Sequence, residues 1–148
     1  MVWRGTGREK TDAPSRKAAF AQRVQAGVPV GLLGYLDGVP LAWCSIAPRE
    51  THQRLGGVAD ASEDAARVWS LVCFFVHRSL RGQGITQRLI REAVDHAKRN
   101  GASAVEAYPV DPDSPSYRFM GFVPSFRAAG FEEAGRAGSR RYVMRLAL

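Results

Sequence analysis

Residues 68–101 read VWSLVCFFVHRSLRGQGITQRLIREAVDHAKRNG. The first nine are apolar apart from Ser70, on both alternating faces, which marks a strand at the centre of a sheet. Residues 81–86 follow as a glycine-bearing turn. From about residue 85 to 100, apolar side chains recur at Ile85, Leu89, Ile90, Ala93, Val94 and Ala97, the one-sided stripe of a helix laid on a sheet. Gln87, Arg88, Arg91, Glu92, Asp95, Lys98 and Arg99 take the other face. Asn100-Gly101 is the expected stop, because a left-handed residue after a helix costs Gly nothing.

A strand that runs through glycines into a helix builds a site for anions. The first turn of a helix has backbone N–H groups without internal partners, and the helix dipole adds positive potential there. Gly82 and Gly84 carry no Cβ, so a phosphate can approach their backbone, and Arg78, Arg81 and Arg88 bring charge. The plainer alternative is a glycine turn that holds nothing. Two familiar phosphate loops are excluded. No G-x-x-x-x-G-K-[ST] run exists, and Gly82-Gln83-Gly84 lacks the third Gly, at Gln87, of a dinucleotide fingerprint.

Toward the N-terminus, residues 30–36 and 39–47 read as strands joined at Asp37-Gly38, a strong hairpin signal. Residues 51–67 are a polar loop with Gly56-Gly57 and the acids Asp60, Glu63 and Asp64. A thin helical pattern over 16–26, with Ala19, Phe20 and Val24, starts at Ser15 as its cap; residues 1–15 read as a flexible arm in which Trp3 is the one large apolar residue. Toward the C-terminus, residues 104–110 form a strand that should lie parallel to 68–76 through a right-handed crossover. Residues 111–116 carry Pro112 and Pro115 and form a loop. A short helix starts at Pro124 and ends at Gly130; 131–137 and 140–148 make a final hairpin around Gly138-Ser139. The whole is an α+β arrangement with mixed strand directions, one domain over 16–148 after the arm.

The hexad Arg81-Gly82-Gln83-Gly84-Ile85-Thr86 resembles the pyrophosphate loop of the GNAT superfamily of acyl-CoA-dependent N-acyltransferases, written [QR]-x-x-G-x-[GA]. Arg81 and Gly84 match, and Thr86 stands where that pattern has Gly or Ala. The apolar strand before the hexad, the Leu89-Ile90 helix after it and Gly130-Phe131 further on extend the resemblance over roughly residues 29–148. It implies a GNAT-like, mostly antiparallel central sheet flanked by helices, with a shortened N-terminal part. It implies acetyl-CoA as cosubstrate and transfer of an acetyl or short acyl group to a primary amine by direct attack in a ternary complex. By position, the N–H of Phe74 meets the thioester carbonyl, Phe75 continues the strand that holds the pantetheine arm, and Val76 bonds a pantetheine amide. The diphosphate lies on the amides of Arg81, Gly82, Gln83, Gly84, Ile85 and Thr86. An aimed backbone donor stabilises the charge that develops on the carbonyl oxygen and needs no particular side chain.

The chain departs from the resemblance at two catalytic places. Ser70 stands where the central strand often carries the carboxylate that deprotonates the amine, and Phe126 stands where a Tyr often protonates the leaving thiolate. Asp111, just beyond the parallel strand, is the candidate base, with Glu50 as second choice; the plain reading of Asp111 is a turn residue before Pro112. Ser125 is the candidate acid, with Tyr117 as an alternative. Alternation along the strand points Cys73 away from the Phe74 face, which favours direct transfer over a covalent cysteine route. Phe126 and Ser70 also favour a second function, a non-catalytic acyl-CoA-binding module of the same fold.

Composition bounds the remaining classes. The chain has 148 residues, 45% hydrophobic and 24% charged, as in a soluble globular domain. No run approaches the ~20 apolar residues of a membrane span, and the first residues, MVWRGTGREKTD, lack the apolar core of a secretory signal, so the expected compartment is the cytoplasm. Cys44 and Cys73 lie in neighbouring strands and are expected close together and reduced. His52, His77 and His96 share no metal-ligand spacing, so no metal is expected. The net charge is +7, but residues 36–117 hold nine basic against ten acidic residues. The excess therefore sits at the two ends, away from the glycine loop, and no nucleic-acid motif accompanies it. The expected partner is a small-molecule or peptide amine, selected by loops over 48–67 and 111–124, where Asp60, Glu63, Asp64, Asp111 and Asp113 suit a cation. The short N-terminal part and the apolar final strand are compatible with a homodimer.

Overall fold

The computed structural model describes residues 12–56 and 67–148. Trp3, Gly57 and the acids Asp60, Glu63 and Asp64 lie outside the described residues.

Helix α1 spans Ala13–Gln25. Asp12 caps it, its carboxylate accepting the Ser15 N–H at 2.8 Å, so the helix begins before Ser15 rather than after it. An acceptor three residues ahead of an orphan N–H is the better cap, and Pro14 fits the first turn. Strands β1 (Leu32–Leu36) and β2 (Val39–Pro48) form the expected hairpin, with Asp37 and Gly38 both at positive φ, 50° and 77°. After them come β3 (Val68–Val76), α2 (Ile85–Arg99), β4 (Ala104–Ala107), α3 (Val123–Arg127), β5 (Glu132–Ala137) and β6 (Arg141–Ala147). The six strands form one sheet in the order β1-β2-β3-β4-β6-β5, and only β3 and β4 pair in parallel. This is the α+β, mostly antiparallel sheet expected.

Helix α2 covers one face of this sheet. It buries Leu89, Ile90, Ala93 and Ala97 against Ile46, Trp69, Leu71, Val105 and Met144. Each large aliphatic side chain buried this way contributes about 1.5–3 kcal/mol. The other face packs Val72, Cys73, Tyr108, Met120 and Val143.

Two features mark the central strand pair. First, Cys44 pairs with Phe74 while Ser45 pairs with Val72, so Cys73 is an extra residue in β3, at a φ of 54°. This bulge resets the alternation. Trp69 and Leu71 face α2, then Phe74 and Val76 do, while Val72 and Cys73 share the opposite face. Cys73 thus points away from Phe74 as alternation required, and it also lies across the sheet from Cys44, which packs on the α2 side. The two cysteines, expected close together, are separated by the sheet, and neither is in a disulfide.

Second, the β3–β4 ladder stops at Leu71↔Ala107. The sequence pattern extended this strand to Val110, but Pro109 has no N–H to give a ladder, and only a single bridge, Val110 to Phe122, forms beyond it. Strand β3 runs on to Val76 paired with β2 alone.

Candidate functional site

The site begins where β3 outruns β4. Along residues 72–76, β3 has a paired side toward β2 and an edge that no described strand completes. The chain then makes a single tight turn over Arg78–Leu80, held by the Leu80 N–H on the His77 carbonyl at 2.9 Å and by His77 Nδ1 against Ser79 Oγ at 2.8 Å. Two side chains fasten the next loop. The Gln83 amide donates to the Ser79 carbonyl at 2.9 Å, and Arg81 Nε donates to the Val76 carbonyl at 3.3 Å.

Gly82 and Gly84 are left-handed, at φ 75° and 72°. Gly84 is the N-cap of α2, and no side chain caps that end, so the first-turn amides face outward. A Cβ at Gly82 or Gly84 would meet nothing within 4 Å. The glycines are therefore required by backbone conformation and not by crowding from the protein, and the space before the amides is open. A cleft of about 310 Å³ lies there, lined by Val76, Leu80, Arg81, Gly82, Gly84, Ile85, Thr86, Gln87 and Ser125. Backbone donors at the start of a long helix, glycine access and an exposed Arg81 fit a diphosphate.

Of the residues named from the sequence, Val76, Arg81, Gly82, Gly84, Ile85, Thr86 and Ser125 line this one cleft, and Gln83 braces its loop. Phe74 lies one step inward on the same face of β3 as Val76, with its ring edge-to-face on Phe126 at 6.0 Å. Phe75 points to the other face, 53% exposed. Asp111 is not among the residues that line this cleft. Its Oδ2 accepts the Tyr142 hydroxyl at 3.0 Å, and its carbonyl accepts the Ser114 N–H at 3.0 Å. Glu50 is exposed in the turn after β2, and Tyr117 is a left-handed loop residue with Arg141 stacked 5.1 Å from its ring.

One group went unread in the sequence. Glu106 in β4 is 5% exposed, on the face away from α2. Arg49 Nη1 lies 2.9 Å from its Oε1, Arg145 Nη1 3.6 Å, and the Tyr108 hydroxyl donates to Oε2 at 2.8 Å. Burial, and then the Glu106 charge, push the Tyr108 phenol's ionisation up. Ser70 is the register partner of Glu106 across the parallel ladder. A carboxylate thus does stand beside the central strand, carried by its neighbour. The available signal was a lone Glu inside the otherwise apolar run AVEAYPV. Among the described residues, no three His, Cys, Asp or Glu side chains are grouped to hold a metal, and no helix is long and apolar enough to cross a membrane.

Known proteins share this architecture. The chain aligns over 93% of its length with a ribosomal-protein-alanine N-acetyltransferase from Brucella melitensis, at a TM-score of 0.62, 21% identity and 80% coverage of that chain. It aligns with yncA of Salmonella typhimurium, solved with acetyl-CoA, at a TM-score of 0.60 and 19% identity, covering 95% of this chain and 76% of that one. A PaiA N-acetyltransferase from Thermoplasma acidophilum, solved with coenzyme A, aligns at a TM-score of 0.60 and 14% identity, covering 92% and 72%. Identities this low carry the fold. No curated protein matches the chain in sequence. The family model for the acetyltransferase (GNAT) family matches residues 3–122, most of the chain, and this protein belongs to that family.

Proposed function

We propose that the chain transfers an acetyl, or another short acyl, group from acetyl-CoA to a primary amine of a small molecule or peptide, by direct attack in a ternary complex. One observation carries this. The uncapped, glycine-fronted start of α2 and the unpaired end of β3 open into the same cleft, so an anion site and an exposed strand edge are continuous. Relatives of the same fold were solved with acetyl-CoA and with coenzyme A.

In this proposal the amides of residues 82–86 and Arg81 hold the diphosphate. The edge of β3 at Val76 pairs with the pantetheine arm, and the Phe74 N–H polarises the thioester carbonyl. The amine nitrogen bonds to the carbonyl carbon, the carbon–sulfur bond breaks, and the thiolate leaves. Two carboxylates are candidate bases: Glu106, beside Ser70 in the parallel ladder and engaged by Arg49, Arg145 and Tyr108, and Asp111, beyond β4 and engaged by Tyr142. Phe126 has no proton to give the thiolate. Ser125, on the cleft wall, is the donor candidate, and general acid help of this kind is worth about 10²–10⁴-fold.

The test is calorimetric titration of acetyl-CoA into the protein and into Gly84→Glu and Gly84→Ala. Any side chain at Gly84 strains a left-handed residue, so the Ala variant separates strain from charge. Micromolar binding that survives in Gly84→Ala and vanishes in Gly84→Glu is expected; no heat with the unaltered protein overturns the cofactor assignment. Thiol release against a panel of amines then separates an enzyme from a binding module. The buried Phe126 and Ser70 in place of a hydroxyl donor and a carboxylate are the observations that keep the module as second reading.

A further inference from the structure

The cleft at the glycine loop has an inner end, and its construction bears on which acyl groups fit. Val76 and Ser125 line the cleft from two sides, strand and helix. Next along each element, the β3 residue on the same face as Val76 is Phe74, and the residue after Ser125 is Phe126. Their rings meet edge-to-face at 6.0 Å and 67°. Behind them Phe131 supports Phe126, at 5.2 Å and 82°, and Phe126 is fully buried. Gly121 closes the third side at a φ of 87°. A Cβ there would stand 2.9 Å from Phe126 Cε2 and 3.3 Å from Phe74 Cε2.

Here, unlike at Gly82 and Gly84, the glycine is required by crowding as well as conformation. A ring pair packed this closely cannot yield to extra methylenes without displacing a backbone or a ring from its rotamer. We infer that the Phe74–Phe126 pair, backed by Gly121, is the end wall of the acyl channel and restricts this protein to the shortest acyl thioesters. The inference rests on the acetyl-CoA assignment above. It also gives Phe126 a task that a residue without a hydroxyl performs well.

The test uses titration of CoA, acetyl-CoA and hexanoyl-CoA into the full chain and into Phe126→Leu, Phe126→Ala and Phe74→Leu, with folding checked by circular dichroism. The unaltered protein should bind hexanoyl-CoA at least about tenfold more weakly than acetyl-CoA, the discrimination a tight apolar pocket exerts per misfit group. The smaller side chains should bring the hexanoyl-CoA and acetyl-CoA affinities together. Phe126→Leu keeps most of the core volume and carries the test where Phe126→Ala fails to fold; Phe74→Leu opens the wall from the strand side. Equal affinities in the unaltered protein, or an unchanged ratio in folded variants, overturn the wall and leave the cofactor assignment standing. Failure to bind any of the three ligands overturns that assignment and the wall with it.

Discussion

At the residue scale, position along the cleft separates two roles for Ser125. Its side chain shares a wall with the glycine loop, which is the phosphate end of the proposed site. A hydroxyl that only bonds the cofactor contributes about 0.5–1.5 kcal/mol. Ser125→Ala should then weaken acetyl-CoA binding by roughly threefold to tenfold and leave saturated thiol release nearly unchanged. A drop of about 10²–10⁴ in the saturated rate, with affinity retained, identifies it instead as the proton donor. Cys44 offers a contrast. It is fully buried, and burial pushes its thiol up to about 12, so it is inert packing material and not a nucleophile.

At the scale of an element, α2 has two ends with opposite jobs. Its start leaves the first-turn amides without a side-chain cap, and its last turn carries His96, Lys98 and Arg99 where the helix dipole favours cations. His96 nevertheless has its pKa lowered, by partial burial first and then by the Arg99 charge, with its ring edge-on to Trp69 at 5.6 Å. A lowered histidine pKa means that the unfolded chain binds more protons than the folded one between the folded value and the ordinary 6.5. The stability it contributes is complete above pH 6.5 and is lost as pH falls through the folded value. Thermal melts between about pH 7 and pH 5 should show a falling midpoint, and His96→Gln should flatten that part of the profile. An unchanged slope in the variant rejects His96 as the source.

At the scale of the whole molecule, Glu106 ties three distant segments together. Arg49 comes from the turn after β2, Arg145 from β6, and Glu106 with Tyr108 from β4 and its exit. Removing the acid takes the shared partner from two partly exposed guanidinium groups and from the Tyr108 hydroxyl, so Glu106→Ala should lower stability in denaturant titrations, by less than the ~3–5 kcal/mol of breaking a fully buried pair. Glu106→Gln keeps an acceptor for Tyr108 and should remain folded. If Glu106 is the base, Glu106→Gln lowers turnover of the best amine by about 10²–10⁴-fold, while Asp111→Asn leaves turnover within a few-fold. The reverse pattern restores Asp111 and reduces Glu106 to a structural acid.

Much of this protein was determined by local sequence alone. The strand over 68–76, the loop at Gly82 and Gly84, the stripe of α2 and the Asp37-Gly38 hairpin arise from backbone freedom, capping and hydrophobic period. Each of these acts within a few residues of itself. The glycine loop and the uncapped start of α2 were legible for that reason, since backbone amides at a helix start need no distant partner. The tertiary structure alone decided the rest. It placed Cys44 and Cys73 on opposite faces through a bulge that no residue pattern announces. It brought Arg49 and Arg145 to Glu106 from distant positions in the chain, and set Phe126 against Phe74. Side chains meet across a sheet according to strand order and register, and both are settled by the packing of the whole core.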